Sequence, residues 1–195
     1  MYLYLVRHGQ SVGNEKKLFF GQSDHPLTDL GRAQARQAAG KLREVSFTRC
    51  VASDLSRAWE TAQICLEGRR IVPEPCPGLR EQDMGLFEDR TWDQARASHG
   101  ALVERLVADW FHTTPPEGES PAAMARRVGA CVDEMVRRGE DTLVAAHNGS
   151  LSLMLKHLGL AGEDELFQPG RFFHHGAYTA IQIREGKPEL KGFNL

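Results

Sequence analysis

Residues 2–11, Tyr-Leu-Tyr-Leu-Val-Arg-His-Gly-Gln-Ser, decide the fold of this 195-residue chain. Positions 2–6 are apolar, aromatic or β-branched, which is typical of a buried strand. The strand ends at Arg7-His8-Gly9, where a glycine would let the chain turn sharply. Because ligands of open α/β sheets bind at the carboxyl ends of strands, Arg7 and His8 are the first candidate site residues.

Strands and helices alternate along the rest of the chain. Apolar runs predict strands at 47–52 and 141–146 and shorter ones at 70–74, 178–184 and 189–193. Helical periodicity predicts helices at 28–44, after residue 54, near 101–111, from 121 and at 150–157. The alternation favours an α/β fold with a mostly parallel sheet and helices on both faces.

The sequence also predicts how individual helices begin and which side they bury. Thr28 is expected to cap the first long helix, and Ser53 or Asp54 the next one. Ser120-Pro121 is a typical helix start, with the cap followed by proline in the first turn. The inward face of the 28–44 helix is predicted to carry Leu30, Ala33, Ala38, Leu42 and Val45.

Length and composition limit the classes of protein. The chain suits a single domain, 1–195, with 78–120 as a cap or rim excursion. A net charge of −2 without a basic tract argues against nucleic acid as a partner. The sequence has no apolar run of ~18 residues, which argues against a membrane partner. Four cysteines without metal or redox spacing indicate free thiols in the cytoplasm. Either a monomer or a homodimer is compatible with the sequence.

Three predicted strands end in polar residues, at Arg7-His8-Gly9, Ser53-Asp54 and His147-Asn148-Gly149. Parallel strands would bring these three ends to one edge of the sheet. The second and third lead into helix N-termini, which favour anions, and Arg57 lies in the first turn of its helix. Two arginines, two histidines and unpaired amides in one place predict a dianion site. Phosphate is the commonest dianion in metabolism and is therefore the ligand that we expect here.

Two histidines at a phosphate site suggest nucleophilic catalysis. A neutral imidazole attacks phosphorus without activation by a metal, and a second imidazole stabilises the charge on the phosphoryl oxygens. The leaving oxygen needs a proton from a carboxylic acid. The candidates for the acid are Glu81, Asp83, Glu88 and Asp89, and spacing does not choose among them. His174-His175 lacks a carboxylate at ligand spacing, so neither a metal nor another cofactor is predicted.

An ordered set of motifs covers nearly the whole chain and resembles the histidine phosphatase superfamily, the phosphoglycerate-mutase-like proteins. The motifs are Val6-Arg7-His8-Gly9-Gln10-Ser11 with Asn14, Pro26-Leu27-Thr28-x-x-Gly31, Ser53-Asp54-Leu55-x-Arg57-Ala58-x-x-Thr61-Ala62, Glu81-x-x-x-Gly85 and His147. The resemblance implies a three-layer α/β/α sandwich and a metal-independent enzyme that acts on a small phosphorylated metabolite.

The same resemblance implies roles for single residues. His8 would become a phosphohistidine, and Glu81 would protonate the leaving alcohol and then activate water. The phosphoryl group would be held by Arg7, Asn14, Arg57, His147 and the backbone N–H of Asn148. His8, Glu81 and His147 would thus be catalytic.

Two features resemble the phosphatase branch of the family. One is the short length of the chain, and the other is the motif Pro115-Pro116-x-Gly118-Glu119-Ser120. Within that branch, four short stretches are similar to α-ribazole phosphatases. They are Gly21, Pro26-Leu27-Thr28, Leu151-Ser152-Leu153 and Gly176-x-x-x-Ala180-Ile181. The alternatives are a cofactor-dependent phosphoglycerate mutase and a catalytically inactive module that binds a phosphorylated ligand.

Three positions depart from the family pattern. Phe20 stands where relatives often carry a polar residue, Asn148 where glycine is common, and Asp89 where glycine is frequent. The predicted substrate mouth consists of Phe20, Gln22 and Glu88. An apolar Phe20 favours a substrate with a face that is not a sugar.

Overall fold

A computed structural model describes residues 1–166 and 170–195 of the chain. Its strands are β1 (Tyr2–Arg7), β2 (Leu18–Phe19), β3 (Arg49–Ala52), β4 (Glu74–Pro75), β5 (Arg90–Thr91), β6 (Thr142–Ala146), β7 (Tyr178–Arg184) and β8 (Lys187–Gly192). Its α-helices are α1 (Val12–Glu15), α2 (Asp29–Lys41), α3 (Ser56–Cys65), α4 (Trp92–Ala108), α5 (Pro121–Arg138) and α6 (Asn148–His157). None of these helices is long and apolar enough to cross a bilayer.

Six strands form one sheet in the order β4-β3-β6-β1-β7-β8. The first four run parallel to one another, and β7 is antiparallel to both of its neighbours. The mostly parallel sheet that the alternation of elements predicts is therefore confirmed. The two short strands β2 and β5 pair separately, outside this sheet.

The sheet is covered on both faces, as the alternation of side chains along β1 shows. Leu3 and Leu5 pack against the buried residues of α5 and α6. Tyr4 and Val6 point the other way and pack against α2 and α3. Successive strand residues face opposite sides of a sheet, so a strand that is apolar throughout must lie between two helical layers. The three-layer α/β/α sandwich is confirmed.

The buried stripe of α2 differs from the predicted one. Leu30 is 54% exposed and Ala33 is exposed, whereas Ala35 and Ala38 are buried with Leu42 just beyond the helix. The helix approaches the β1 turn through Gly31, whose missing side chain makes room for the Gln10 carbonyl group. This contact sets the rotation of the helix and turns Leu30 outward. Thr28 caps the helix as predicted, by accepting a hydrogen bond from the Gly31 N–H.

The prediction that Ser53 or Asp54 caps α3 is wrong, because the N-cap residue is Leu55. The Ser53 hydroxyl is hydrogen-bonded to His147 instead, with 2.8 Å between Oγ and Nε2. The Asp54 carboxylate accepts hydrogen bonds from Nε and Nη2 of Arg80. Both side chains that would suit a cap are therefore directed toward other partners near the end of β3.

Two further elements lie elsewhere than predicted. The strand expected at 70–74 is shorter and lies later in the chain, as β4 (Glu74–Pro75), which pairs with Val51 and Ala52 of β3. The helix expected near 101–111 begins at Trp92, because Thr91 and Gln94 cap it reciprocally. Its buried face packs on β2 and on Phe87 in a small cluster of its own.

Candidate active site

The ends of three parallel strands lie at one edge of the sheet. Arg7 is paired in register with Ala146, and Ala52 with Ala145, so the residues that follow each strand are neighbours. His8 N–H donates to the Ala146 carbonyl at 3.0 Å. The rings of His8 and His147 are 5.1 Å apart between centroids. The structure thus brings together two imidazoles that are far apart in the sequence.

His8 is held in one tautomer. Its Nδ1 lies 2.7 Å from the Gly9 carbonyl oxygen, and the side chain is almost fully buried. Because a carbonyl oxygen only accepts hydrogen bonds, Nδ1 carries the proton in the neutral ring. The lone pair is then on Nε2, which is the nitrogen available for attack.

Gly9 is needed for a different reason from the one that the sequence suggests. Its φ angle is not in the left-handed region, where seven other glycines of the described chain lie. A side chain here would instead place Cβ 2.1 Å from the Gly31 carbonyl oxygen. The Gly9 N–H donates to Thr61 Oγ1 at 3.1 Å. Close backbone contact with α2, rather than a special turn, fixes the residue next to His8.

Arg57 is fully buried and is anchored by the loop at 21–23. Its Nη1 donates to the Ser23 carbonyl at 3.0 Å, its Nη2 donates to the Gly21 carbonyl, and its guanidinium lies over the Phe20 ring. Burial lowers the pKa of Arg57 to about 10, so it remains a cation at neutral pH. A buried cation without a carboxylate bound to it is a strong site for an anion.

Unpaired nitrogens also concentrate here. In the described part of the chain, four buried side-chain nitrogens have no hydrogen-bond partner, and three belong to Arg7, Arg57 and His147. Buried donors without partners are rare in folded proteins because each one costs free energy. Arg7 is otherwise held by a hydrogen bond from Nη1 to the Phe173 carbonyl, 2.9 Å long. A concentration of unpaired buried nitrogens is the feature that a site for an anion would present.

Glu81 reaches the same edge from the loop after β4. Its Oε2 accepts a hydrogen bond from the Gly149 N–H at 2.9 Å, and Oε1 accepts from the Gln82 N–H. A side chain at position 149 would place Cβ 2.2 Å from Oε1. Gly149 therefore provides both the amide that binds the carboxylate and the space that it occupies.

The two predicted asparagines are each held by their side-chain oxygen. Asn14 Oδ1 accepts hydrogen bonds from the N–H and hydroxyl of Ser11, and Asn148 Oδ1 accepts one from the Phe173 N–H. The amide nitrogen of Asn14 points away from this pairing. The backbone N–H of Asn148 is the first of α6 and has no partner within the helix.

The predicted mouth residues have different surroundings. Phe20 lines a small open cavity of about 170 Å³ with Met84, Trp110, Glu81 and Gly149. Glu88 accepts hydrogen bonds from four backbone amides, those of residues 21, 22, 23 and 84. Gln22 lies 3.4 Å from Arg80, measured from Oε1 to Nη1. Phe20 thus faces the cavity, whereas the Glu88 carboxylate fixes the surrounding loops.

Two neighbours of the site, His175 and Arg127, are not among the residues predicted for it. The Nδ1 atom of His175 contacts the carbonyl oxygen of His8, and its ring lies 5.7 Å from the His8 ring. Arg127 of α5 donates to the carbonyls of Gly78, Arg80 and Glu81 and pairs with Glu119. The pairing of β1 with β7 brings His175 next to His8. The packing of α5 brings Arg127 next to Glu81.

The environment keeps the histidines neutral. Burial lowers the pKa of His8 well below its ordinary value, and the nearby His147, Arg57 and Arg7 lower it further. Burial and then Arg57 lower the pKa of His147 in the same direction. For His175, burial and Arg7 lower the pKa to about 4. In the absence of an anion, all three rings are therefore unprotonated at neutral pH.

These shifts predict that the protein loses stability in mild acid. The unfolded chain takes up protons on these histidines near pH 6.5, while the native rings stay neutral until a lower pH. The unfolded state then binds more protons, so the free energy of unfolding falls as pH decreases from about 6.5. Urea unfolding in phosphate-free buffer should show a loss of about 1 kcal/mol per imidazole between pH 7.5 and 5.5.

A pair of variants checks the origin of this loss. His175→Ala should reduce the difference in stability between the two pH values, whereas Gly40→Ala, at an exposed position of α2 that carries no ionisable group, should leave it unchanged. Equal stability of the wild-type protein at pH 7.5 and 5.5 would contradict the prediction.

A family model for the histidine phosphatase superfamily (branch 1) matches residues 3–195. The chain belongs to this superfamily. The adenosylcobalamin/alpha-ribazole phosphatase of Salmonella typhimurium is 32% identical to it, over 100% of this chain and 96% of the relative. A probable phosphoglycerate mutase of Yersinia pestis is 33% identical, over 80% of this chain and 74% of the relative.

Solved structures agree with this assignment. The crystal structure of the alpha-ribazole phosphatase from Shigella flexneri matches this histidine phosphatase with a TM-score of 0.92 and 28% identity, covering 100% of this chain and 96% of that one. The family and fold that the motifs predict are confirmed, and so is the enzyme class, a phosphatase that acts on a small phosphorylated metabolite.

Proposed function

We propose that this phosphatase hydrolyses phosphomonoesters through a phosphohistidine formed on Nε2 of His8. The observation that carries the proposal is the His8 ring itself. It is buried, its Nδ1 is bound to the Gly9 carbonyl, and a second imidazole lies 5.1 Å away. A ring fixed in this way presents a lone pair of constant direction, as attack in line with the leaving oxygen requires.

The phosphoryl group would lie among the side chains of Arg7, Asn14, Arg57 and His147 and the backbone N–H of Asn148. The unpaired nitrogens of both arginines and of His147 support this placement. A bound dianion would also favour the protonated form of His147, against the effect of burial, because opposite charges stabilise each other. The imidazolium would then bind the equatorial oxygens as the charge on them develops.

Glu81 would act in both halves of the reaction. As the Nε2–P bond forms and the ester P–O bond breaks, the carboxylic acid of Glu81 gives its proton to the leaving oxygen. The resulting carboxylate then takes a proton from water as the water oxygen attacks phosphorus. The P–N bond breaks, inorganic phosphate leaves, and neutral His8 and protonated Glu81 are restored.

We also propose that the reaction is independent of metal ions. The positive charge needed at phosphorus is supplied by Arg7 and Arg57. Among residues 1–166 and 170–195, His, Cys, Asp and Glu side chains form no group of three or more that could hold a metal ion. The four free cysteines favour a place in the cytoplasm, where thiols stay reduced.

The mouth of the site favours a substrate with an aromatic or apolar part beyond the ester oxygen. Phe20, Met84 and Trp110 line the cavity next to Glu81. Trp110 is held in place by a hydrogen bond from Nε1 to Gln82 Oε1, 2.6 Å long. Flat apolar groups gain free energy from stacking on such side chains. α-Ribazole phosphate, which fits this description and is named in two of the relatives, is the substrate that we propose.

The proposal is tested with a panel of phosphorylated metabolites in the presence of a chelator. We expect α-ribazole phosphate to be hydrolysed with the highest kcat/KM and inorganic phosphate to appear at the rate of alcohol release. Phosphoglycerates distinguish the mutase alternative. Transfer of the phosphoryl group between positions of phosphoglycerate, faster than its release to water, would contradict a phosphatase. Loss of activity in the chelator would contradict metal independence.

Gly149→Ala should disable the acid without removing it. The new methyl group would occupy the position of Glu81 Oε1 and push the carboxylate off the Gly149 N–H. Displacement of a catalytic group by about 1 Å can cost about 10²-fold in rate. We expect kcat to fall by roughly that factor, with KM changed little, in steady-state assays of hydrolysis.

The matched control is Gly40→Ala on α2, where the added methyl group meets open space outside the backbone of its own helix. This variant should keep full activity. If Gly149→Ala also keeps full activity, Glu81 does not act from the position that the structure shows.

A further inference from the structure

Two cysteines outside the active site face each other. Cys76 follows β4, and Cys131 lies in the middle of α5, 55 residues further along the chain. Their sulfur atoms are 3.1 Å apart. A disulfide bond is about 2.05 Å long, so a movement of roughly 1 Å would join them. The sequence gives no sign of this pairing, because the spacing matches no redox or metal motif.

The pair is accessible to small molecules. Both thiols are partly exposed and line a surface groove of about 270 Å³ with Val51, Glu74 and Met135. The other two cysteines, Cys50 and Cys65, are buried in the core between the sheet and α3. An oxidant in solution can therefore reach one pair of thiols and not the other.

The partly exposed pair of cysteines and the buried pair also differ in reactivity. Hydrogen bonding from Cys131 and from the backbone at Gly78 and Leu79 lowers the pKa of the Cys76 thiol to about 7. Burial raises the pKa of Cys50 and Cys65 to about 12. The thiolate is the form that attacks oxidants and disulfides, so Cys76 would react first.

Residues other than the two cysteines hold α5 against the segment that follows β4. Arg127, four residues before Cys131 on α5, donates to the carbonyls of Gly78, Arg80 and Glu81. The Cys131 sulfur lies against Gly78, where an added Cβ would be 2.4 Å from it. Both sulfurs are thus held together by the native packing, and a bond between them requires little rearrangement.

We propose that Cys76 and Cys131 form a reversible disulfide that links α5 to the segment leading to Glu81. With hydrogen peroxide as the oxidant, the Cys76 thiolate attacks one oxygen and becomes a sulfenic acid, and hydroxide leaves as water after protonation. The Cys131 sulfur then attacks the Cys76 sulfur, its proton leaves with the second hydroxyl group as water, and the S–S bond forms. One peroxide is reduced to two waters as two thiols lose two electrons and two protons. A dithiol reverses the change.

The test uses the full-length protein, oxidised with one equivalent of hydrogen peroxide and then unfolded and alkylated. We expect the intact mass to fall by two hydrogens before alkylation, and two of the four cysteines to resist alkylation. Peptide mapping should find Cys76 joined to Cys131, and dithiothreitol should restore all four thiols. Four alkylated thiols after the peroxide is consumed, or a link between other cysteines, would overturn the proposal.

Two variants sharpen the result. Cys131→Ser leaves Cys76 without its partner, so peroxide should produce a sulfenic acid at Cys76 that dimedone traps. Cys65→Ser removes a buried thiol and should still form the link. Formation of an internal disulfide in Cys131→Ser would overturn the assignment of the pair. All of these readouts are independent of phosphatase activity.

Discussion

Replacement of His8 by alanine should abolish turnover. Loss of a covalent nucleophile lowers kcat by roughly 10⁴-fold or more in other hydrolases, and we expect the same here because the other two imidazoles of the site are each anchored through one ring nitrogen. His147 is bound through Nε2 to Ser53, and the Nδ1 atom of His175 contacts the His8 carbonyl. The variant should also show no burst of product and no acid-labile phosphoenzyme when it is quenched after mixing with labelled substrate.

Binding of phosphate separates this outcome from misfolding. Arg7, Arg57 and His147 remain in the variant, so it should still bind inorganic phosphate within about tenfold of the wild-type affinity, as calorimetry can measure. His174→Ala, at an exposed neighbour of the site, is the matched control and should keep its activity. A labelled phosphoenzyme in folded His8→Ala would show that another residue is the nucleophile.

Glu81→Gln should have the second largest effect, and the effect should depend on the leaving group. General acid and base catalysis contributes about 10²- to 10⁴-fold, so hydrolysis of an alkyl phosphate should slow by that amount. A nitrophenolate leaves without a proton. With p-nitrophenyl phosphate we therefore expect a normal burst followed by slow turnover, because water still has to be activated. Stopped-flow absorbance measures both phases.

The neighbouring carboxylates provide the controls for this assignment. Asp83 accepts a hydrogen bond from the Gly85 N–H, and Asp89 is bound to Ser23 and His25. Asp83→Asn and Asp89→Asn should retain the wild-type rate with both substrates. If either of them loses the alkyl phosphatase activity while Glu81→Gln keeps it, the acid is not Glu81.

Most of the layered architecture could be predicted from the sequence because its signals are local. The apolar run before Arg7 and the alternation of strands and helices are sufficient for a parallel sheet with two helical layers. The strand ends then place His8 near His147 without any knowledge of the side-chain packing. The phase of α2 was not predictable, because it depends on the contact between Gly31 and the Gln10 backbone.

The surroundings of the site were harder to predict, since they depend on contacts between distant segments. His175 reaches His8 because β7 pairs with β1 in antiparallel register, with Val6 opposite Tyr178. The pair His174-His175 is visible in the sequence, but no local pattern shows that it lies next to the end of β1. Similarly, the position of Arg127 beside Glu81 depends on how α5 packs, not on the spacing of charges.

The carboxylate of Glu88 has a mechanical consequence. It accepts hydrogen bonds from the amides of residues 21, 22, 23 and 84, and so it joins the loop next to Phe20 to the loop that carries Met84. These two walls of the opening must then shift as one body. A bulky ligand cannot part the two walls without breaking hydrogen bonds to this carboxylate, so one side chain limits the width available to a substrate.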